Sequence, residues 1–377
     1  YPYLLYFLRW IYPNLFFAAV VQTFFFAACA ALSINYFFDG KKKLWVALLL
    51  GIEPVTSLFC GNTMSECLFV SVLMIWIIFV HDYFSGTGKS AGKVFLVGII
   101  GGVLYSIRFS GILFLLFFVA LILADKEKRK YFFFGILSLF IAFQITILPV
   151  RIKYKLVFNT YFFNGMTGEL LWNNASAIYL RSNVRKNPET DFEKFVAQTD
   201  TVNFTTEKAI TGRQLWRWDF AYRSYINKKN YEFNDVPKAS AQAGITALKI
   251  ICENPLSYFK NYVVPGFFQI FVQQDRVKMD NFLPYFRQTY HCTTLRAPYY
   301  SVFYLVFYFS LLIICSAIFA MKKTKDIFSR IILPLSWLYI ISLPFIYSDI
   351  RHYFVRAPLI LLTVIFQVHY LYKGKTL

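Results

Sequence analysis

Nine apolar runs punctuate this chain, near residues 14–37, 44–60, 65–81, 93–109, 110–124, 131–150, 299–320, 331–347 and 355–372. No other feature restricts its fold as much. A helix crossing a bilayer needs roughly 17–25 mostly apolar residues, because only a closed helix satisfies its own backbone in hydrocarbon. The second and fifth runs are short for this, and their ends are correspondingly loose. The sequence therefore predicts an all-α polytopic membrane protein. Composition agrees: 58% of the 377 residues are hydrophobic and only 16% are charged, with a mean hydropathy of +0.49, far too apolar for a water-soluble domain.

Lysine and arginine assign the sides. Lys41–Lys43, Lys89 and Lys93, Lys126, Lys128–Lys130, Lys322, Lys323, Lys325 and Arg330, and Lys373 and Lys375 put 15 basic residues on alternate turns. The opposite turns hold Arg108, Arg351 and Arg356 alone. Positive charge marks the cytoplasmic side. The expected topology is a multi-pass plasma-membrane protein with its C-terminus inside and Tyr1 starting outside, which implies a further crossing upstream. A net charge of +19 could suggest nucleic acid, but its placement in membrane turns and the absence of any nucleic-acid-binding motif exclude that partner.

Four regions follow. Residues 1–13, "YPYLLYFLRWIYP", are a juxtamembrane segment suited to headgroup depth. Residues 14–150 form a bundle of six crossings and 299–377 one of three. Between them, 151–298 carries 20 basic and 12 acidic residues and predicts a small helical extracytoplasmic domain. It includes the amphipathic run from Lys238 to Phe259 and, near 257–273, an interfacial or re-entrant helix broken by Pro265 and Gly266.

Few motifs suggest chemistry. "FSGTGKS" at 84–90 lacks the first P-loop glycine, having Tyr83 there, and has no strand before it; it is a flexible turn. Asn174 and Asn203 begin sequons that short chance matches also produce. The six cysteines show no metal spacing, and a Cys252–Cys292 disulfide stays open. "CGNTMSECLFVSV", residues 60–72, is more informative. Thr63-x-x-Glu66 fits a capping box before the third run. Yet Glu66, Asn62 and the intramembrane Glu53 are polar groups at membrane depth, where ionisable side chains by default mark a pocket or pathway. Arg108, Arg351 and Arg356, with Arg151 and Lys153 in "LPVRIKYK", lie on the side that positive charge otherwise avoids. Each taken singly could be snorkelling to headgroups. Together they suit a phosphate, whose oxygens the guanidinium fork binds in pairs. The expected ligand is a phosphate-bearing lipid at the outer leaflet.

Six stretches, in order, resemble one family. They are "YPYLLYFLRWIYPN", "GIEPVTSLFCGNTMSECLF", "GGVLYSIRFSGILFLLFF", "LPVRIKYKLVFNTYFFNGMTGELLWNNAS", "ITALKIICENPLSYFKNY" and "DIRHYFVRAPLILL". They are similar to segments of the bacterial polytopic glycosyltransferases of the GT-C class, related to the lipid A aminoarabinose transferase and the protein O-mannosyltransferases. The resemblance implies inverting transfer of a sugar from a polyprenyl-phosphate donor to an acceptor hydroxyl of a glycan, lipid or protein on the outer face. It gives Glu66 an auxiliary acidic role, positioning acceptor or a divalent metal. Glu53, Asn62, Arg108, Arg151, Lys153, Arg351, His352 and Arg356 become substrate-binding positions. It also implies a catalytic Asp in a first outer loop, upstream of Tyr1. His352 and Val355 depart from the family's usual Tyr and Pro, so that end of the pocket differs. A lipid-linked sugar flippase and a polymerase or ligase using an undecaprenyl-diphosphate donor are the alternatives; a flippase should show matching halves with broken helices, and none is evident.

Overall fold

The computed structural model describes residues 2–52, 65–86, 91–108, 110–158, 182–203 and 236–264, with isolated positions at 168, 171–172, 175, 178–179, 225, 313–314, 316–317, 331, 333–335 and 337. Helix accounts for 90% of them and there is no strand among the described residues, as the apolar runs require. The chain forms two compact units, one comprising Tyr1–Leu148, Gln274–Ile340 and Ile350–Leu377, the other Pro149–Gln273 and Ile341–Asp349.

The first unit begins with α1 (Pro2–Ile11), which buries Leu8 and leaves Tyr6, Phe7 and Trp10 exposed. Helix α2 (Leu15–Phe37) starts where the Asn14 side chain accepts the Phe16 N–H at 2.8 Å, a cap for one of the four orphan donors. It ends on Phe38, and Gly40 then takes φ +58°, a turn conformation that favours glycine, before α3 (Lys42–Ile52). There follow α4 (Ser65–Ser85), α5 (Ala91–Ile107), α6 (Gly111–Ala124), the single turn α7 (Lys126–Arg129) and α8 (Phe132–Phe158). Within α2, α4 and α8, the stretches Phe16–Phe37, Cys67–Ser85 and Phe132–Val157 are long and apolar enough to cross a membrane; α5 and α6 are shorter apolar helices.

Specific contacts fix the direction of these helices. Tyr36 meets His81 and the Gln22 carbonyl meets Cys67, so α2 and α4 run the same way. Lys93 pairs with Asp82 across the next turn, making α4 and α5 antiparallel. A Cβ on Gly111 would overlap Tyr105 N at 2.4 Å, so the α5–α6 hairpin closes tightly there. Phe69 and Trp76 pack edge-on against Phe114, and Trp76 and Tyr83 against Phe118, which sets α6 parallel to α4.

Small residues set the spacing of α5 and α8. Gly98 faces Ala142 and the Leu139 carbonyl, and Gly102 faces Thr146. Thr146 Oγ1 donates to Ala142 O at 2.9 Å and reaches Ile99 O at 3.5 Å, and Ser138 Oγ donates to Ala91 O at 3.2 Å. A Gly-x-x-x-Gly face opposite small and hydroxyl residues is how apolar helices approach when lipid gives no hydrophobic drive to associate.

Helix α8 continues past the expected end at 150. Pro149 lies inside it, leaving the Ile145 carbonyl without its usual donor, and the boundary between the two units falls just before it.

The second unit gathers α9 (Asn183–Lys186), α10 (Asp191–Asn203), α11 (Val236–Glu253), α12 (Pro255–Tyr258) and a π turn, Phe259–Val263. Its core holds Trp172, Tyr179, Phe192, Val196, Tyr225, Ala243, Ala247 and Ile250. Phe192 meets Trp172 and Tyr225 edge-on. Gly168 donates its N–H to Ser240 Oγ at 3.1 Å, and any Cβ there would collide with the Ser240 carbonyl.

A capping box opens α10. Thr190 Oγ1 accepts the Glu193 N–H at 3.2 Å while Glu193 Oε2 accepts the N–H groups of Thr190 at 3.1 Å and Glu189 at 2.7 Å. Glu193 is 1% exposed, and its other oxygen accepts from Thr246 Oγ1 at 3.3 Å, tying α10 to α11. Glu193→Ala leaves the buried Thr246 hydroxyl and the partly buried N–H groups of Glu189 and Thr190 without that acceptor, a buried unsatisfied group costing about 1–3 kcal/mol. The expected result is faster hydrogen exchange across α10 with little change in the first unit; equal exchange in both proteins would remove Glu193 as the link.

Candidate functional site

The first unit has two chemically different ends. At one end lie the lysines. Lys93 Nζ contacts Asp82 Oδ2 at 2.6 Å, and Lys128 Nζ donates to the Gly86 carbonyl at 2.8 Å while standing 4.8 Å from the Tyr83 ring centroid. The Tyr36 hydroxyl and Ser85 Oγ both hydrogen-bond His81 Nδ1, at 3.1 and 3.3 Å. These cations and donors are already engaged in holding the turns together. Lys93, Lys128 and His81 tie these turns together.

Arg108 lies at the other end. It follows the last residue of α5, its N–H donating to Leu104 O at 2.9 Å, and its carbonyl accepts the Gly111 N–H at 2.9 Å. A cation just past a helix C-terminus also sits favourably in the field of the helix. Glu66 is the second residue of α4 and shares this end, because Phe69, one turn on, packs against Phe114, one turn after Gly111. Cys67 donates its thiol to the Gln22 carbonyl at 3.7 Å, and Gln22 itself is 1% exposed within α2. Ser71 Oγ donates to Cys67 O and Ser33 Oγ to Cys29 O. The buried Gln22 amide and the first turn of α4, which includes Glu66, thus share the end where Arg108 lies.

Of the expected site residues, Glu66 and Arg108 are brought to one end of the first unit. Arg151 and Lys153 are on the C-terminal part of α8, in the second unit; two residues apart on a helix, they point roughly 200° away from one another. Lys153 is exposed and Arg151 half-buried. Glu53, Asn62, Arg351, His352 and Arg356 lie outside the described residues, as do Thr63 of the expected capping box, Lys89 of the "FSGTGKS" turn and Cys292. Cys252 is an exposed free thiol. Among the described residues no group of three or more His, Cys, Asp or Glu is placed to hold a metal ion.

Sequence reasoning passed over Gln22. Its signal was available: an amide within an apolar run long enough to cross a membrane is costly unless it is paired. It also passed over Lys249, whose Nζ donates to Glu189 at 2.9 Å. That hydrogen bond raises the ammonium's pKa above its ordinary value, with burial opposing and the charges of Glu193, Glu189 and Glu253 adding.

No family model, no curated protein and no solved structure matches this chain.

Proposed function

We propose that this membrane protein is a glycosyltransferase that moves a sugar from a polyprenyl-phosphate donor to an acceptor hydroxyl at the outer face of the plasma membrane. The observation that supports it most is the sorting of charge in the first unit. Lysines crowd one end, where Lys93 and Lys128 tie turns together, while Arg108 stands at the other beside the start of α4, where Glu66 is. If the lysine end is cytoplasmic, the arginine end faces outward, where a lipid phosphate headgroup lies.

The chemistry requires a stabiliser of developing negative charge on the leaving phosphate and a group to take the acceptor proton. Arg108, Arg151, Arg351 and Arg356 are the phosphate candidates, with Lys153 and His352 as further substrate contacts. Glu66 is an auxiliary acid near Asn62 and Glu53 in sequence, positioning the acceptor or a divalent metal. Nine crossings, an extracytoplasmic domain over residues 151–298 and a cytoplasmic C-terminus belong to the same reading.

The test uses the full-length protein in vesicles supplied with radiolabelled polyprenyl-phosphate sugar. Glu66→Gln removes the charge with little change of shape, and Arg351→Ala removes one phosphate donor. Both are expected to lower transfer at least tenfold while the protein stays monodisperse, on the scale of a lost transition-state hydrogen bond. Wild-type rates in both would end the assignment of the pocket.

A further inference from the structure

The helical segment from α11 to the π turn is apolar on both its faces. Ala239, Ala243, Thr246, Ala247 and Ile250 face inward and are buried in the core of the second unit. The opposite face of α11 carries Ile245 and Leu248, which are 64% and 50% exposed; past the break at Asn254, Leu256 in α12 and Phe259 at the start of the π turn are 84% and 50% exposed. Cys252, an exposed thiol, lies on that face too. At 100° per residue, Ile245, Leu248 and Cys252 fall within an arc of roughly 60°. Single exposed apolar side chains are ordinary, but several in succession on elements whose inner sides are already packed mark a contact surface.

We infer that this outer face of the second unit, from Ile245 to Phe259, rests on the lipid bilayer surface. Three observations favour lipid as the occupant. The second unit begins at Pro149, inside a helix whose Phe132–Val157 stretch is apolar enough to cross a membrane, so the chain enters the unit directly from the bilayer. Lys238 and Lys260 are exposed near the two ends of the strip, as they are on helices that lie in an anionic interface. Among the described residues, Glu253 accepts the Asn183 N–H at 3.0 Å and Glu189 holds Lys249, so both carboxylates are engaged within the unit. A second copy docked through the same face would bring Lys238 and Lys260 towards their own counterparts; phosphate headgroups complement them. The apolar side chains then sit at the acyl boundary while both lysines extend towards the phosphates.

This inference goes beyond the glycosyltransferase reading and does not depend on activity. The experiment labels the full-length protein with bimane at Ile245→Cys and at Leu256→Cys, one at a time, after the native cysteines are replaced by serine. It is reconstituted in vesicles of phosphatidylcholine and phosphatidylglycerol whose acyl chains are brominated near the carbonyl end. Quenching is expected to exceed that of a label at Asp191→Cys, at the exposed start of α10, by about twofold or more, as burial in the headgroup and acyl boundary implies. Where a variant loses monodispersity, the native Cys252 on the same face carries the label instead. Three results overturn the inference: equal quenching at all positions; dependence of the label's signal on protein density rather than on brominated lipid, which assigns the face to a second copy; and protection from a water-soluble thiol reagent without lipid quenching, which assigns it to another part of this chain.

Discussion

Gly98→Ile is expected to destabilise the first unit by about 3 kcal/mol or more, the upper range for forcing extra atoms into a packed contact. A Cβ built at Gly98 stands 2.8 Å from the Leu139 carbonyl oxygen and 2.7 Å from Ala142 Cβ, closer than real Cβ atoms approach. Backbone cannot rotate aside as a side chain can, so α5 and α8 must separate. Separation also breaks the contacts of Thr146 and Ser138 with the α5 carbonyls. Gly102→Ile should behave in the same way against Thr146, whose Cβ would be 2.7 Å off. Gly135 is the control, since a Cβ there meets nothing nearer than Ile122 Cδ1 at 4.0 Å. Gly135→Ala should be neutral or stabilising by up to about 1 kcal/mol through helix propensity. The measurement is the temperature at which the protein in detergent loses its monodisperse peak. If Gly98→Ile and Gly135→Ala shift it equally, close α5–α8 packing is not what holds the unit together.

The helices of the first unit were legible because hydrocarbon enforces a simple rule: apolar side chains around a self-satisfied backbone. The expected runs 14–37, 93–109 and 110–124 match α2, α5 and α6 within two residues. Their ends were less legible where a charge was read as a stop. The third run was expected to end at His81, yet α4 continues to Ser85, because Lys93 accompanies Asp82 and the helix need not break to solvate it. The sixth was expected to end at Val150, yet α8 carries Arg151, Lys153 and Lys155 in further turns to Phe158. Hydrogen bonding along the backbone, more than side-chain polarity, decides where a helix stops.

Local motifs were harder to weigh. Thr63-x-x-Glu66 is legible beside an apolar run, whereas Thr190-x-x-Glu193, which makes both reciprocal hydrogen bonds, lies in a polar stretch where the pattern draws no notice; Thr63 lies outside the described residues. The two have the same pattern. Glu193 is also buried beneath α11, with Thr246 supplying a donor from 53 residues away, and no local pattern reports such a neighbour. Arg108 was legible as a candidate because charge on the side lacking lysines is rare in this chain. Its tight setting was not, since it depends on Gly111 closing against Tyr105.

That setting makes Arg108 the most discriminating functional substitution. The backbone around it is held twice, by Leu104 O before it and by the Gly111 N–H after it, so the guanidinium extends from a rigid hairpin. A side chain that only snorkels to headgroups would not need this, and lysine would replace it without loss. A side chain that clamps a leaving phosphate needs the planar fork, which lysine lacks. On the glycosyltransferase reading, Arg108→Ala should lower transfer from a radiolabelled polyprenyl-phosphate sugar by roughly 10²–10³ in kcat, the range for removing one preorganised donor to a developing anion. Arg108→Lys should recover only part of it, with KM restored more fully than kcat, because a point charge attracts the bound phosphate but cannot follow its charge as the bond breaks. The stability of both variants should stay near wild type, since the substitution leaves the Leu104 and Gly111 backbone bonds intact. Full activity in both would return Arg108 to the headgroups and leave its end of the bundle without a phosphate clamp; loss in Ala with complete recovery in Lys would make its role one of charge alone.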